Sequence, residues 1–434
     1  MRAAWLARRA KSFESQPAAR GVARHLPGSY ARPLAPSNQA CNGDEGKIKG
    51  AYRFFKNPRV TLDTLLKPHI EATARRIQDE SVVLAVQDTT SLNYTAHLAV
   101  AGLGPISSIS NGAQGLKLHD TLAFTSAGVP LGVLHIACWA REGHGSTKAR
   151  KQLPIEEKES YRWLRCYQWV AEIRALCPDT RLVSVGDREA DIYELFQQAT
   201  RAPDGPDLLV RANHSSKRRT ATEYSLWEHL SRQPLAGQLD LHIPGKGGRH
   251  ARNAILEIRH AEVEIQAPQR LTGSAPIKLW AIHAHEPDPP RGCDPLDWLL
   301  LTTVETRSFD AACRRLSWYA VRWNIEVYHR VLKSGCRVED RRLGSAETLQ
   351  ACLAIDLVVA WRILRLTKLG RSVPDVSCEI FFREEEWKAL CIHHSKDPHP
   401  PATPPSRKVV STWDDVYSTW VEQLVLQREL FASG

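Results

Sequence analysis

The sequence predicts an α/β fold: a mixed sheet, interrupted by a β-rich insertion, with a charged helix packed behind it. Three observations carry this. Two short apolar runs, SVVLAVQD and RLVSVGD, each close on an aspartate, Asp88 and Asp187. From about residue 227 to 305 the chain alternates short β-like pieces with Gly/Pro turns, as in LDLHIPGKGGRH and IKLWAIHAH. A helical pattern over roughly 309 to 334 then contains WYAVRWNIEVYHRVLK, with charged and aromatic residues at recurring offsets.

In chain order, residues 59–80 read as helix with a break near Pro68. SVVLAVQDTTSLNY follows as a buried strand that ends at Asp88. KLHDTLAFTS and VPLGVLHIACWA flank Ala127 and Gly128 as a hairpin. A helical pattern runs from Ile155 to Leu176, then a strand from Arg181 to Val185, then Gly186, Asp187 and a further helix. PDLLVRANHSSKRR is a short strand passing into a basic loop. After the insertion and the charged helix, TLQACLAIDLVVAWRILRLT forms another helix, KDPHPPATPPSR an extended linker, and Trp413 to Leu430 a last amphipathic helix. The expected units are a basic leader (1–45), a helical N-terminal segment (46–80), a core (81–370) with its β-rich insertion at about 220–305, and a C-terminal linker with helix (371–434).

The whole chain has 434 residues, 43% hydrophobic and 24% charged, and no apolar run reaches the roughly 20 residues that span a bilayer. No signal-peptide core follows the basic start, so a cytoplasmic place is expected, away from membranes. Ten cysteines occur without a C-x-x-C pair, which argues for reduced thiols and against a zinc ribbon. The net charge of +10, from 58 basic and 48 acidic residues, favours a polyanionic partner. Nine of the basic and three of the acidic residues lie in positions 1–50, so +6 sits in the leader.

On a helix turning 100° per residue, Tyr319, Arg322, Glu326 and Lys333 fall at about 0°, 300°, 340° and 320°, within one sector. Arg322 and Glu326 could simply form a solvated i, i+4 pair. Likewise Asp187 could cap a helix and Asp88 could form an Asx-turn. If the sheet instead brings Asp88 and Asp187 together beneath Glu326, three hard oxygen ligands meet, a site suited to magnesium, with manganese as substitute. Two such ions serve in-line phosphoryl displacement, and Arg322 and Lys333 on the same face suit phosphate.

These residues resemble a known family. The spacing Tyr319-x2-Arg322-x3-Glu326-x6-Lys333 is similar to the Y-R-E-K signature of cut-and-paste DNA transposases of the insertion-sequence-four type, which include the transposon-five enzyme. GAYRFFKNP (50–58), DTTSL after Asp88, DREADI (187–192), LLVR ending in Arg211 and DWLLLT around Trp298 occur in the family's order, over roughly residues 45–370. The resemblance implies an RNase H-like core, a D-D-E metal triad of Asp88, Asp187 and Glu326, and cleavage of transposon ends through a hairpin before joining to target DNA. It further implies that Tyr319, Arg322, Lys333 and Arg211 hold DNA, that Trp298 stacks on a flipped base, that His329 orients a carboxylate and that Trp323 packs. Expected partners are double-stranded DNA, as terminal inverted repeats and target, and a second copy of the chain on that DNA. Trp298 read by itself is equally a core tryptophan. The Ala/Arg/Pro/Ser leader and the short C-terminal part depart from the family pattern. Two rival readings stay open: a nuclease with the same core and no strand joining, and an inactive remnant that binds DNA as an inhibitor.

Overall fold

The computed structural model describes residues 45–406 apart from 98, 108–111, 143–152, 215–217, 222–223, 244–250, 272, 373–374, 376, 381, 383 and 396–398. The basic leader up to residue 44 and the expected helix from Trp413 to Leu430 lie outside the described residues.

Helices α1 (Glu45–Lys56) and α2 (Leu62–Ile77) precede the sheet. The expected break at Pro68 does not occur: α2 runs through it. A proline in a helix interior costs about 3 kcal/mol. Burial of Leu62, Leu66 and Ile77 on one face, at about 1.5–3 kcal/mol per side chain, outweighs that. Thr61 and Thr64 add a reciprocal capping box at the start of the helix.

Ten strands form one mixed sheet. Those of the first half are β1 (Val82–Asn93), β2 (Gly104–Pro105), β3 (Gln114–Thr125), β4 (Pro130–Trp139), β5 (Arg181–Gly186) and β6 (Asp207–Arg211). β3 pairs antiparallel to β1 and β4 antiparallel to β3, whereas β5 is parallel to β1 and β6 parallel to β5. The resulting order β4-β3-β1-β5-β6, with its one reversed strand and helical crossovers, is the RNase H-like arrangement. Helix α3 (Tyr161–Leu176) makes the crossover to β5 and α4 (Tyr193–Arg201) the crossover to β6. The helical pattern expected from Ile155 starts later, because Lys158 is extended (φ −90°, ψ 148°) and separates a single 3-10 turn at Ile155–Glu157 from α3.

The β-rich segment follows α5 (Leu226–Ser231) and comprises β7 (Gly237–Ile243), β8 (Arg252–Ile265), β9 (Ile277–His285) and β10 (Asp297–Thr302). It extends the same sheet, since β10 pairs antiparallel with β6 and the order continues β6-β10-β9-β8-β7. Side chains alternate between faces along each strand. Leu84, Val86, Val183, Val185, Leu209 and Leu300 join one core cluster with α6 (Phe309–Val321), α7 (Trp323–Arg330) and α8 (Ala346–Ser372). Leu208, Val210, Leu299, Leu301 and Ala281 join a second cluster with α3 and α4 on the opposite face. A final helix, α9 (Glu384–Ser395), contributes Trp387 and Leu390 to the first cluster.

The single helix expected over 309–334 is divided. It tightens at Arg322, where the Arg322 amide bonds the Tyr319 carbonyl (3.0 Å) and the Ile325 amide bonds the Arg322 carbonyl (3.1 Å). It then widens into a π-helical segment, Val331–Gly335, closed by the Cys336 amide on the Val331 carbonyl at 2.8 Å. Such π segments recur at functional sites.

Candidate carboxylate site and the chemistry around it

Strand β1 does not stop at Asp88, as the sequence pattern had implied. Its parallel ladder with β5 ends at Val86–Val185, but β1 stays paired with β3 up to Asn93. Continuing the parallel register by two residues places Asp88 level with Asp187. The alternation that sends Leu84 and Val86 toward α7 sends Asp88 the same way, and Val183 and Val185 do this for Asp187. Fold topology, and not proximity in sequence, brings the two carboxylates to one end and one face.

Glu326 stands on α7 above them, linked through Arg322. The Arg322 guanidinium bonds Glu326 Oε1 at 2.5 Å and lies 3.9 Å from Asp88 Oδ2. The i, i+4 ion pair therefore does form, and it forms against the carboxylate site and not in open solvent. Asp187 accepts a hydrogen bond from the Glu189 amide at 2.8 Å, so it caps the short turn Arg188–Ala190 while facing Asp88. The capping and Asx readings of Asp187 and the site reading are compatible.

His329, one turn beyond Glu326, is buried between two aspartates. Its Nε2 is 2.6 Å from Asp120 Oδ2, and its Nδ1 is 3.8 Å from Asp88 Oδ2. Asp120 was not singled out from sequence. It lies opposite Asp88 on β3, has no solvent exposure, and its Oδ1 meets no hydrogen-bond partner. The available signal was the alternation in KLHDTLAF, which puts one acid among Leu118, Leu122 and Phe124 on the buried face.

Electrostatics follow from this crowding. The Asp88 carboxyl is pushed up to about 6, chiefly by burial; His329 and Arg322 oppose the rise and the neighbouring Asp187 charge adds to it. Burial works against the Arg322 cation, but Tyr319, Glu326 and Asp88 together hold its pKa above the ordinary value. Burial also raises the Tyr319 phenol. The donor set of Asp88, Asp187 and Glu326 is all oxygen, and repulsion between two of its members already disfavours their joint ionisation. A hard divalent cation fits such a set by charge and by donor type.

The other sequence-derived residues are distributed as follows. Arg211 ends β6, shares the face of Asp187, hydrogen-bonds the Tyr319 side chain, and donates from Nη2 to the Asp297 carbonyl at 3.0 Å. Trp298 is half-buried, its ring centroid 6.0 Å from that of Tyr319 in an edge contact. Tyr319, Arg322, Arg211 and Trp298 thus form one strip beside the carboxylates. Lys333 sits in the π turn, where the uniform 100° step no longer applies. It lies near Lys117 of β3, whose pKa is lowered first by burial and then by the charges of Arg141 and Lys333. Trp323, expected to pack, is 45% exposed, since it follows the tightened turn and points away from the core.

Comparison with known proteins adds a second line. Residues 358–413 match the family model of the transposase Tn5 dimerisation domain. The match begins inside α8, within the stretch assigned from sequence to the catalytic core, and it covers the C-terminal part that had been expected to depart from the family pattern. Among solved structures, the chain is similar to a piggyBac transposase in a synaptic complex with hairpin DNA, with 10% identity and a TM-score of 0.35 over 85% of this chain and 60% of that one. The chain therefore spans about 60% of the length of that structure. Among the described residues no helix is long and apolar enough to cross a membrane.

Proposed function

We propose that the chain is a DNA transposase of the insertion-sequence-four type. In this reading Asp88, Asp187 and Glu326 form the catalytic triad and hold divalent cations, magnesium by preference and manganese as substitute. The observation that carries the reading is the meeting of Asp88 and Asp187 at one level of an RNase H-like sheet, under the helix that bears Glu326 and Arg322. The match to the Tn5 dimerisation domain supports it independently, because it involves different residues.

The chain's own groups divide the work. Asp88, Asp187 and Glu326 would be the cation ligands; when bound, the cations supply charge compensation and polarisation at the reacting phosphate. With Glu326 engaged as a ligand, Arg322, which bonds it here, would be able to turn its fork to a phosphate oxygen. Asp120 holds His329 by the 2.6 Å contact, and His329 in turn fixes the Asp88 carboxylate. Arg211, Tyr319 and Lys333 grip the DNA backbone beside the cut. Trp298, at the rim of that strip, offers a face on which an extruded base can stack while the strand folds into a hairpin. Water then reopens the hairpin by breaking its 3'-oxygen–phosphorus bond, and the 3'-hydroxyl so released attacks a phosphate of the target, the displaced oxygen leaving as the 3'-hydroxyl of the cut target strand. Residues 358–413 would pair two such chains on DNA.

The test uses linear DNA carrying the sequences that flank the gene, with magnesium and a target plasmid. Wild-type protein is expected to give nicked ends, hairpins and joined products. Trp298→Ala is expected to nick at a near-normal rate while hairpins fall at least tenfold. Nicking without any joined product would support a nuclease and remove the transposase assignment. Unchanged hairpin yield in Trp298→Ala would remove the stacking role.

A further inference from the structure

On the opposite face of the sheet, at the same end, three ligand-type side chains converge outside the carboxylate site. His283 and His285 are two residues apart on β9 and so share a face; Asp297 on β10 is directly opposite His285. His283 Nε2 lies 2.6 Å from Asp297 Oδ1 and His285 Nδ1 lies 4.0 Å from it. All three ligand atoms fall within 4.8 Å of one another. His283 is buried, whereas the His285 and Asp297 side chains are each 39% exposed, which leaves a path for an ion from solvent.

We infer that His283, His285 and Asp297 form a binding site for a borderline transition-metal cation of the zinc(II) class, separate from the all-oxygen carboxylate site. Two imidazoles with one carboxylate suit zinc and leave a fourth position open, whereas magnesium prefers oxygen donors alone. With metal–ligand bonds of about 2.0–2.1 Å, ligand atoms in a tetrahedron stand about 3.3 Å apart. The present 2.6 and 4.0 Å separations lie on either side of that value. Adjustments of about an ångström at the partly exposed His285 and Asp297 side chains bring the set toward that spacing around buried His283. His283 Nδ1 meets no partner. Without that outer support the site is expected to bind less tightly than one whose imidazoles are each anchored.

The position gives the cation a structural consequence. Asp297 offers its carboxylate to this site and its backbone carbonyl to Arg211 on the other face, and the next residue is Trp298. A cation bound at Asp297 pins the end of β10, and with it the Arg211 contact and the mouth where Trp298 stands.

The experiment is equilibrium dialysis of the metal-stripped full chain against zinc chloride, with bound metal determined directly and no DNA present. Wild-type protein is expected to bind one zinc per chain at this site. His285→Gln and Asp297→Asn, which leave the buried core intact, are each expected to weaken that binding at least tenfold with unchanged far-UV circular dichroism. Asp187→Asn is expected to lose any weaker, additional zinc held by the carboxylate site and to keep the equivalent at His283, His285 and Asp297, so the outcome is independent of the proposed catalysis. Cobalt(II) loading is expected to give nitrogen/oxygen-type spectra without the thiolate charge-transfer band that cysteine ligation would produce. Zinc binding no greater in wild type than in His283→Gln/His285→Gln, or a thiolate band lost in neither variant, overturns the inference and leaves only a His–Asp hydrogen bond.

Discussion

The two faces of the sheet carry different ligand chemistries at the same end. At α7 stand Asp88, Asp187 and the helix's own Glu326, crowded by Arg322 and His329; behind them stand the buried His283 and the partly exposed His285 and Asp297. One arrangement gathers hard oxygen donors and stores repulsion among them. The other mixes two imidazoles with a single carboxylate that is hydrogen-bonded to one of them. The difference teaches that strand alternation separates two proposed sites one residue apart: Asp297 belongs to one face and Trp298 to the other.

The comparison breaks most readily at Asp120. Replacing it by Ala leaves buried His329 without its 2.6 Å partner. Removing one member of a buried ionic or hydrogen-bonded pair costs about 3–5 kcal/mol. A urea-unfolding midpoint should drop accordingly, whereas His285→Gln on the exposed side should shift it far less. Equal losses for the two variants would deny that the carboxylate face is the buried, strained one.

A smaller effect of opposite sign is expected at Asp88 in buffer with chelator. Its folded pKa of about 6 lies above the ordinary 3.8. The ionised form is therefore penalised in the folded state above pH 6, the penalty declines as pH falls from 6 to 4, and it is absent below both values. Asp88→Asn should stabilise the protein at pH 8 by at most about 3 kcal/mol, from 1.36 kcal/mol per unit. The advantage should vanish near pH 3.5. A variant less stable than wild type at pH 8 would show that His329 and Arg322 more than offset the burial cost.

Smaller still is the contribution of single phosphate-binding groups. Arg322→Ala and Lys333→Ala should each weaken DNA binding across sequences and reduce the slope of log affinity against log salt by about one. Fluorescence anisotropy over a salt series reads both quantities. If Lys333→Ala leaves the slope unchanged, the π turn has carried that side chain away from the DNA.

Much of this architecture was legible in sequence because it is written in local periodicity. The apolar runs ending in Asp88 and Asp187, the hairpin around Gly128 and the β-rich stretch all correspond to strands that alternate faces. What could not be read was long-range pairing. Asp120 looks like any strand acid until β3 is laid against β1, and His283, His285 and Asp297 become a cluster only when β9 pairs with β10. Helix geometry was the other limit. A uniform 100° step placed Lys333 with Glu326, but the turn between Val331 and Gly335 is wider than an α-helix. At Pro68 a local rule was overridden by the burial of a whole helix face.

The most direct test of the central claim is magnesium-dependent cleavage of DNA carrying the gene's flanking sequences, compared between wild type and Asp187→Asn, Asp88→Asn and Glu326→Gln, each checked for folding. Loss of at least about a thousandfold in rate for each of the three, about 4 kcal/mol of barrier, is the predicted result. Cleavage at the wild-type rate by any one of them would contradict the assignment of the three carboxylates to one catalytic site.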